Sequence, residues 1–162
     1  MMTEDYVSFE IAKLLKEKGF RQWCYKCYGT AVYHKGEPIS FDEEHDLLDA
    51  GLGDEIEYVE GGYLYDFGCD NRKENAKVWA APTLQMAMKW LREEHNLFIG
   101  IHPRLSFTDY YWITADIYRV KKKSSLYHVE DVDDYNCVAS CDGTSFEDAC
   151  ESAIKYCLKN LI

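Results

Sequence analysis

Cys24 and Cys27 stand in the stretch "WCYKCY", Trp23 to Tyr28, with the C-x2-C spacing of a zinc knuckle. Gly29 would help the tight turn such a knuckle needs, and Cys137 and Cys141 offer a looser C-x3-C second half. Four thiolates of this kind can close a structural zinc site. The competing reading is a set of buried free thiols. In a strand, Cys24 and Cys27 point to opposite faces. An extended 137–141 segment would hold its two sulfurs roughly 13 Å apart. Cys150 and Cys157 fall on the apolar face of a helix, where a thiol behaves as a small hydrophobe.

The second chemical feature is "FDEEHDLLDAGLGDEIEYVE", residues 41–60, with nine carboxylates and no Lys or Arg. Such a run is either a solvated face that keeps the protein soluble or a surface that docks a basic partner. The second reading makes Glu43, Glu44, Asp46, Asp49, Asp54, Glu55, Glu57 and Glu60 the partner-binding residues. A third expectation is a small-ligand pocket lined by Tyr110, Trp112 and His128. The five histidines show no H-x-x-x-H spacing, and none adjoins a Ser or Cys in a nucleophile motif. "DFG" at Asp66 stands without the other parts of a kinase. "VKKKSS", from Val120, reads as a solvated turn between strands. No catalytic residue and no cofactor is assigned, and a non-enzymatic role is expected.

These side chains must be positioned by helices and strands. Ser8, Thr83 and Ser145 each open a stretch of the form hydroxyl, large apolar, Glu or Gln, any residue, Ala, which reads as a helix start with the hydroxyl as cap. The spacing predicts helices over Phe9–Lys18, Thr83–His95 and Ser145–Ile162. A shorter helix is predicted over Phe41–Ala50, where Ser40 and Glu43 form a capping-box pattern. Gly19 suits the left-handed residue that ends the first helix.

The last helix carries Phe146, Ala149, Cys150, Ala153, Ile154, Cys157, Leu158 and Leu161 on one face. In "DEIEYVEGGYLYDF" the pair Gly61-Gly62 suggests a two-residue hairpin turn that sets Val59 against Leu64, Tyr58 against Tyr65 and Glu57 against Asp66. "NLFIGI", "DYYWITADIYRV", "SLYHVE" and "YNCVAS" read as successive strands. The expected class is α+β, an antiparallel sheet flanked by helices, with the C-terminal half running α-β-β-β(β)-α.

The chain has 162 residues, long enough for one domain with a sizeable core, with a possible division near residue 80 into an acidic part and the α-β-β-β-α part. Seven cysteines is an odd number, and no basic-then-apolar leader pattern precedes them, so reduced thiols in the cytoplasm are expected. A formal charge of −11 argues against direct binding of nucleic acid, since each phosphate contact normally takes a cation. No run of apolar residues has the length of a membrane span. The expected partner is a basic protein, and the aromatic face of "YYWITADIY" leaves room for a homodimer contact.

Three further stretches, "VSFEIAKLLKEKGF", "APTLQMAMKWLREEHN" and "ACESAIKYCLKNLI", resemble a set of small proteins encoded by bacteriophages, prophages and mobile elements of gut anaerobes. The similarity covers the first helix and most of residues 80–162, and leaves out the acidic stretch from His34 to Asn75. It implies a phage-type accessory protein and transfers no catalytic residue.

Overall fold

The computed structural model describes residues 5–66, 68–72, 76–105, 111–120 and 135–162, the last range without the side chains of 135 and 136. Among these residues four α-helices and seven strands build two antiparallel sheets, an α+β fold. The chain forms two compact units, Met1–Phe20 joined with Pro82–Ile162, and Arg21–Ala81 between them. No helix among the described residues is long and apolar enough to cross a membrane.

The two-segment unit contains α1 (Phe9–Glu17), α3 (Leu84–His95), β5 (Leu97–Leu105), β6 (Tyr111–Val120), β7 (Tyr135–Gly143) and α4 (Phe146–Asn160). The intervening unit contains β1 (Lys26–His34), β2 (Glu37–Pro38), α2 (Phe41–Asp49), β3 (Ile56–Tyr65) and β4 (Trp79–Ala81).

In the two-segment unit the expected helix starts form, with one variation. The Thr83 and Ser145 hydroxyls accept from the amides of Met86 at 3.3 Å and Asp148 at 3.1 Å, each relieving an orphan donor of the first turn. Ser8 instead donates its amide to the Glu151 carboxylate on α4 at 2.6 Å, so the start of α1 is held by another helix. Gly19 has φ +91°, the left-handed stop expected after α1.

The strands run in the order β5-β6-β7, with Ala115 opposite both Ile101 and Cys141, and Ile117 opposite Ile99 and Ala139. This face is covered by α4, which buries Ala149, Cys150, Ala153, Ile154, Cys157 and Leu158 on its apolar stripe. Phe146 differs from expectation in being exposed, because it begins the helix at its N-terminal rim. α3 buries Leu84, Ala87, Trp90 and Leu91, a narrower stripe than the spread of its apolar residues suggests. Phe20 packs edge-on against Trp90 with ring centroids 5.6 Å apart. The stretch "SLYHVE" lies outside the described residues.

α1 is further tied to α4 by Glu10, which accepts from Lys155 Nζ at 2.6 Å and Lys159 Nζ at 2.8 Å. These two ammonium groups hold the Glu10 carboxyl down at about 2. A carboxyl whose folded-state value is depressed stabilises the fold above its ordinary value near 4.5, and that contribution is lost as pH falls toward 2. NMR titration should therefore place the Glu10 midpoint near the bottom of the carboxylate range. Glu10→Gln should remove this part of the acid dependence, and an ordinary midpoint would show that the two lysines do not engage it in solution.

In the Arg21–Ala81 unit, β1 is central: β3 pairs along one edge, and β2 and β4 pair with its two ends on the other. The expected hairpin at Gly61-Gly62 does not occur. β3 is one continuous strand against β1, and its register jumps from Gly29 opposite Tyr63 to Thr30 opposite Glu60, leaving Gly61 and Gly62 as a bulge. Gly61 takes φ +71°, and a Cβ on Gly62 would sit 2.8 Å from the Ala31 methyl. Two glycines therefore serve a bulge as well as they would a turn. Consequently Glu57 faces Tyr33, and Asp66 pairs with Lys26 at 2.9 Å.

Candidate functional site

The bulged β1–β3 ribbon and α2 border an open groove of about 710 Å³, a size that suits a side-chain cluster or small ligand. Tyr33, Phe41, Tyr58, Tyr63 and Tyr65 supply most of its aromatic lining, with Glu44 and Lys77 as its charged groups. Local sequence explains the wall. The Ser40–Glu43 capping box forms: the Glu43 amide donates to Ser40 Oγ at 3.3 Å, and the Ser40 amide donates to Glu43 Oε2 at 2.8 Å. It starts α2 at Phe41, which remains 78% exposed, and no residue of α2 is fully buried. Tyr63 and Tyr65 are two apart on the strand and therefore share a face, with ring centroids 4.6 Å apart. Tyr58 donates its hydroxyl to Glu44 Oε1 at 2.6 Å. That bond fixes the carboxylate at the groove and holds the phenol above its ordinary value.

The eight acidic residues singled out from the sequence do not form one patch of free charge. Glu44 lines the groove, while Glu43, Asp46 and Asp49 are exposed on α2, Asp49 beside His45 Nδ1 at 3.3 Å. Asp54 is exposed in the short 3-10 turn Gly53–Glu55. Glu55 meets His34 at 3.0 Å and Lys35 at 3.1 Å, which lower its carboxyl, the His34 contact most. Glu57 is exposed on β3, and Glu60 reaches Lys77 at 3.8 Å. Cations from outside the run thus meet it at Glu55 and Glu60, and uncompensated charge concentrates on α2.

The cysteines group differently from the C-x2-C and C-x3-C pattern. Cys24 forms an isolated antiparallel bridge with Cys69: the Cys24 amide donates to the Cys69 carbonyl at 2.8 Å, and the Cys69 amide donates to the Cys24 carbonyl at 3.0 Å. Burial holds the Cys27 and Cys69 thiols above their ordinary value. Cys137 and Cys141 lie on β7, where a bulge beside Val138 breaks the alternation. Cys137 lies near Ser140 Oγ on the open face, and Cys141 near Cys157 on the helix-covered face, so the two sulfurs do not converge. Among the described residues no three His, Cys, Asp or Glu side chains are arranged to hold a metal ion. Cys150 and Cys157 are buried under the sheet, and burial pushes both thiols up to about 12.

Of the third expected set, Tyr110 and His128 lie outside the described residues, and Trp112 is half-buried on β6. Its face of the sheet carries a polar cluster that sequence reasoning missed. Asp116, 7% exposed, accepts from Ser140 Oγ at 2.5 Å and Tyr118 hydroxyl at 3.5 Å. His102 Nε2 approaches it at 3.4 Å and an Arg104 guanidinium nitrogen at 3.6 Å. Beside it the buried Thr114 donates to Asp142 at 2.8 Å. The signal in the sequence is a pair of polar residues, Thr114 and Asp116, at alternate positions inside an otherwise apolar and aromatic strand. The carboxylate is already surrounded by donors and presents no free nucleophile or base.

No family model, no curated protein and no solved structure matches this chain.

Proposed function

We propose that the Arg21–Ala81 unit receives a basic segment of another protein and that the chain acts by occupying that partner, as a phage-type accessory protein without catalytic activity of its own. The observation that carries this reading is the open tyrosine-lined groove with Glu44 fixed in it and the exposed carboxylates of α2 alongside. Lys and Arg suit both features. Their charged heads interact with tyrosine faces and carboxylates, while their aliphatic stems cover exposed apolar surface such as Phe41. The net charge of −11 adds a field that draws basic partners in and weakens with salt.

The test is fluorescence anisotropy with labelled Lys/Arg-rich and Asp/Glu-rich peptides of equal length. The basic peptide should bind and the acidic one should not. Replacing Glu43, Glu44, Asp46 and Asp49 by their amides should leave the melting midpoint in place and weaken the basic peptide at least about tenfold, the loss expected for a few desolvated charge contacts. Tyr58→Ala or Tyr63→Ala should weaken it by a similar factor. Unchanged affinity in the amide variant refutes the acidic surface, and unchanged affinity in both tyrosine variants refutes the groove.

A further inference from the structure

We propose that Cys24 and Cys69 are a disulfide-forming pair, a covalent modification site that a small-molecule disulfide such as oxidised glutathione converts from two thiols to one intramolecular bond. Sequence spacing gives no hint of the pair, since 45 positions separate the two residues. The backbone sets them side by side. They are direct antiparallel partners, and each donates its amide to the carbonyl of the other, at 2.8 and 3.0 Å. Residues that exchange both bonds in this way hold their Cα atoms about 5.5 Å apart and send their side chains to the same face. That separation falls at the commonest value for disulfides, within a range of roughly 4.4–6.8 Å. The Cys24 thiol rests on the Gln22 carbonyl at 3.7 Å, so closure asks it to give up one weak contact and rotate, with no separation of the paired backbones.

Among the described residues no other cysteine stands opposite a cysteine. Cys27 lies in β1 between Tyr65 of β3 and Ala80 of β4. Cys137 pairs with Tyr118 and Cys141 with Ala115. Cys150 and Cys157 are seven residues apart on α4, which separates them by about 10 Å along the helix axis, beyond the reach of a disulfide.

The reaction balances as two thiol–disulfide exchanges. Cys69 is half-buried and Cys24 fully buried, so the oxidant meets Cys69 first. The Cys69 thiolate attacks oxidised glutathione, forming a mixed disulfide and releasing one glutathione thiolate. The Cys24 thiolate then attacks the Cys69 sulfur and releases the second glutathione. Both protons lost by the protein end on the two reduced glutathiones. Burial raises both thiols, Cys24 up to about 12, so the exchange is slow at neutral pH and accelerates in alkali. The bond encloses β1, β2, α2 and β3 in one covalent loop, whatever the groove they border binds. Closing so long a loop should lower the unfolding constant of the Arg21–Ala81 unit by about a hundredfold or more.

The experiment uses the full chain carrying Cys137→Ser, which removes the exposed thiol. The folded protein is incubated with oxidised glutathione at mildly alkaline pH and read by intact mass and non-reducing peptide mapping. Loss of two hydrogens, with a crosslinked peptide joining residues 24 and 69 and a raised melting midpoint that returns on reduction, is the expected result. Adding Cys27→Ala should leave the crosslink intact, and adding Cys24→Ala should abolish it. A crosslink joining 27 to 69, a stable glutathione adduct on Cys69 without closure, or no reaction in the folded protein would each overturn the proposal. Because the native Cys24 and Cys69 form the bond, the main result does not depend on a core variant that fails to fold.

Discussion

Gly143→Ala is expected to destabilise the two-segment unit by about 3 kcal/mol or more, the upper range for overpacking a filled core. Gly143 ends β7 two residues before the cap of α4. A Cβ there would sit 2.4 Å from the Ala149 amide nitrogen and 2.8 Å from its Cα. Those atoms belong to the backbone of a helix whose other residues are packed against the sheet, so no side-chain rotation relieves the clash. α4 would have to move as a body and lose the burial of Ile154 and Leu158. The melting midpoint should fall by roughly 10 °C. Gly100→Ala is the matched control. Its Cβ would meet only Tyr118, at an ordinary 3.6 Å, and the alanine should be tolerated. Equal losses at the two positions would show that strand glycines matter here for some reason other than the approach of α4.

The second large effect is expected at Asp116. Asp116→Ala strips one carboxylate from four donors and should cost about 2–3 kcal/mol, the range for hydrogen bonds to a charged group. The cost stays below that of a fully buried ion pair because His102 and Arg104 are 42% and 49% exposed and regain water when released. Asp116→Asn keeps the shape and loses the charge, and should cost less than alanine. Ser140→Ala should cost least, since Asp116 retains its other donors. Chemical unfolding of the three variants checks this order. A Ser140→Ala loss equal to that of Asp116→Ala would place the energy in that single hydrogen bond and not in the cluster.

The sheet and helices of the two-segment unit were legible because each is dictated by local chemistry. Alternating residues in β6 set Ile113, Ala115 and Ile117 against α4, and the period of α4 returned the same face. Hydroxyl caps at Thr83 and Ser145 and the left-handed Gly19 need only near neighbours. The Arg21–Ala81 unit was less legible because its decisive contacts are long-range. Gly61 and Gly62 carry the backbone freedom of either a turn or a bulge, and only the pairing of β3 with β1 decides between them. The acidic residues were visible from composition, yet the pairing of Glu55 with His34 and Lys35, and of Glu60 with Lys77, required the fold. The groove combines residues of β1, α2 and β3, and no short window contains it. Cys69 lacks a spacing signal for the same reason.

The chain leaves the two-segment unit after Phe20 and rejoins it at Pro82, where the Val7 amide donates to the Pro82 carbonyl and the Leu84 amide to that of Asp5, both at 3.0 Å. On the ribosome this order has a temporal consequence. Residues 21–81 emerge with all their own strands, whereas α1 precedes them and must wait for α4, since its partners Glu151, Lys155 and Lys159 lie some 140 residues later. The Arg21–Ala81 unit can therefore assemble during synthesis, while the two-segment unit cannot close until α4 has been made.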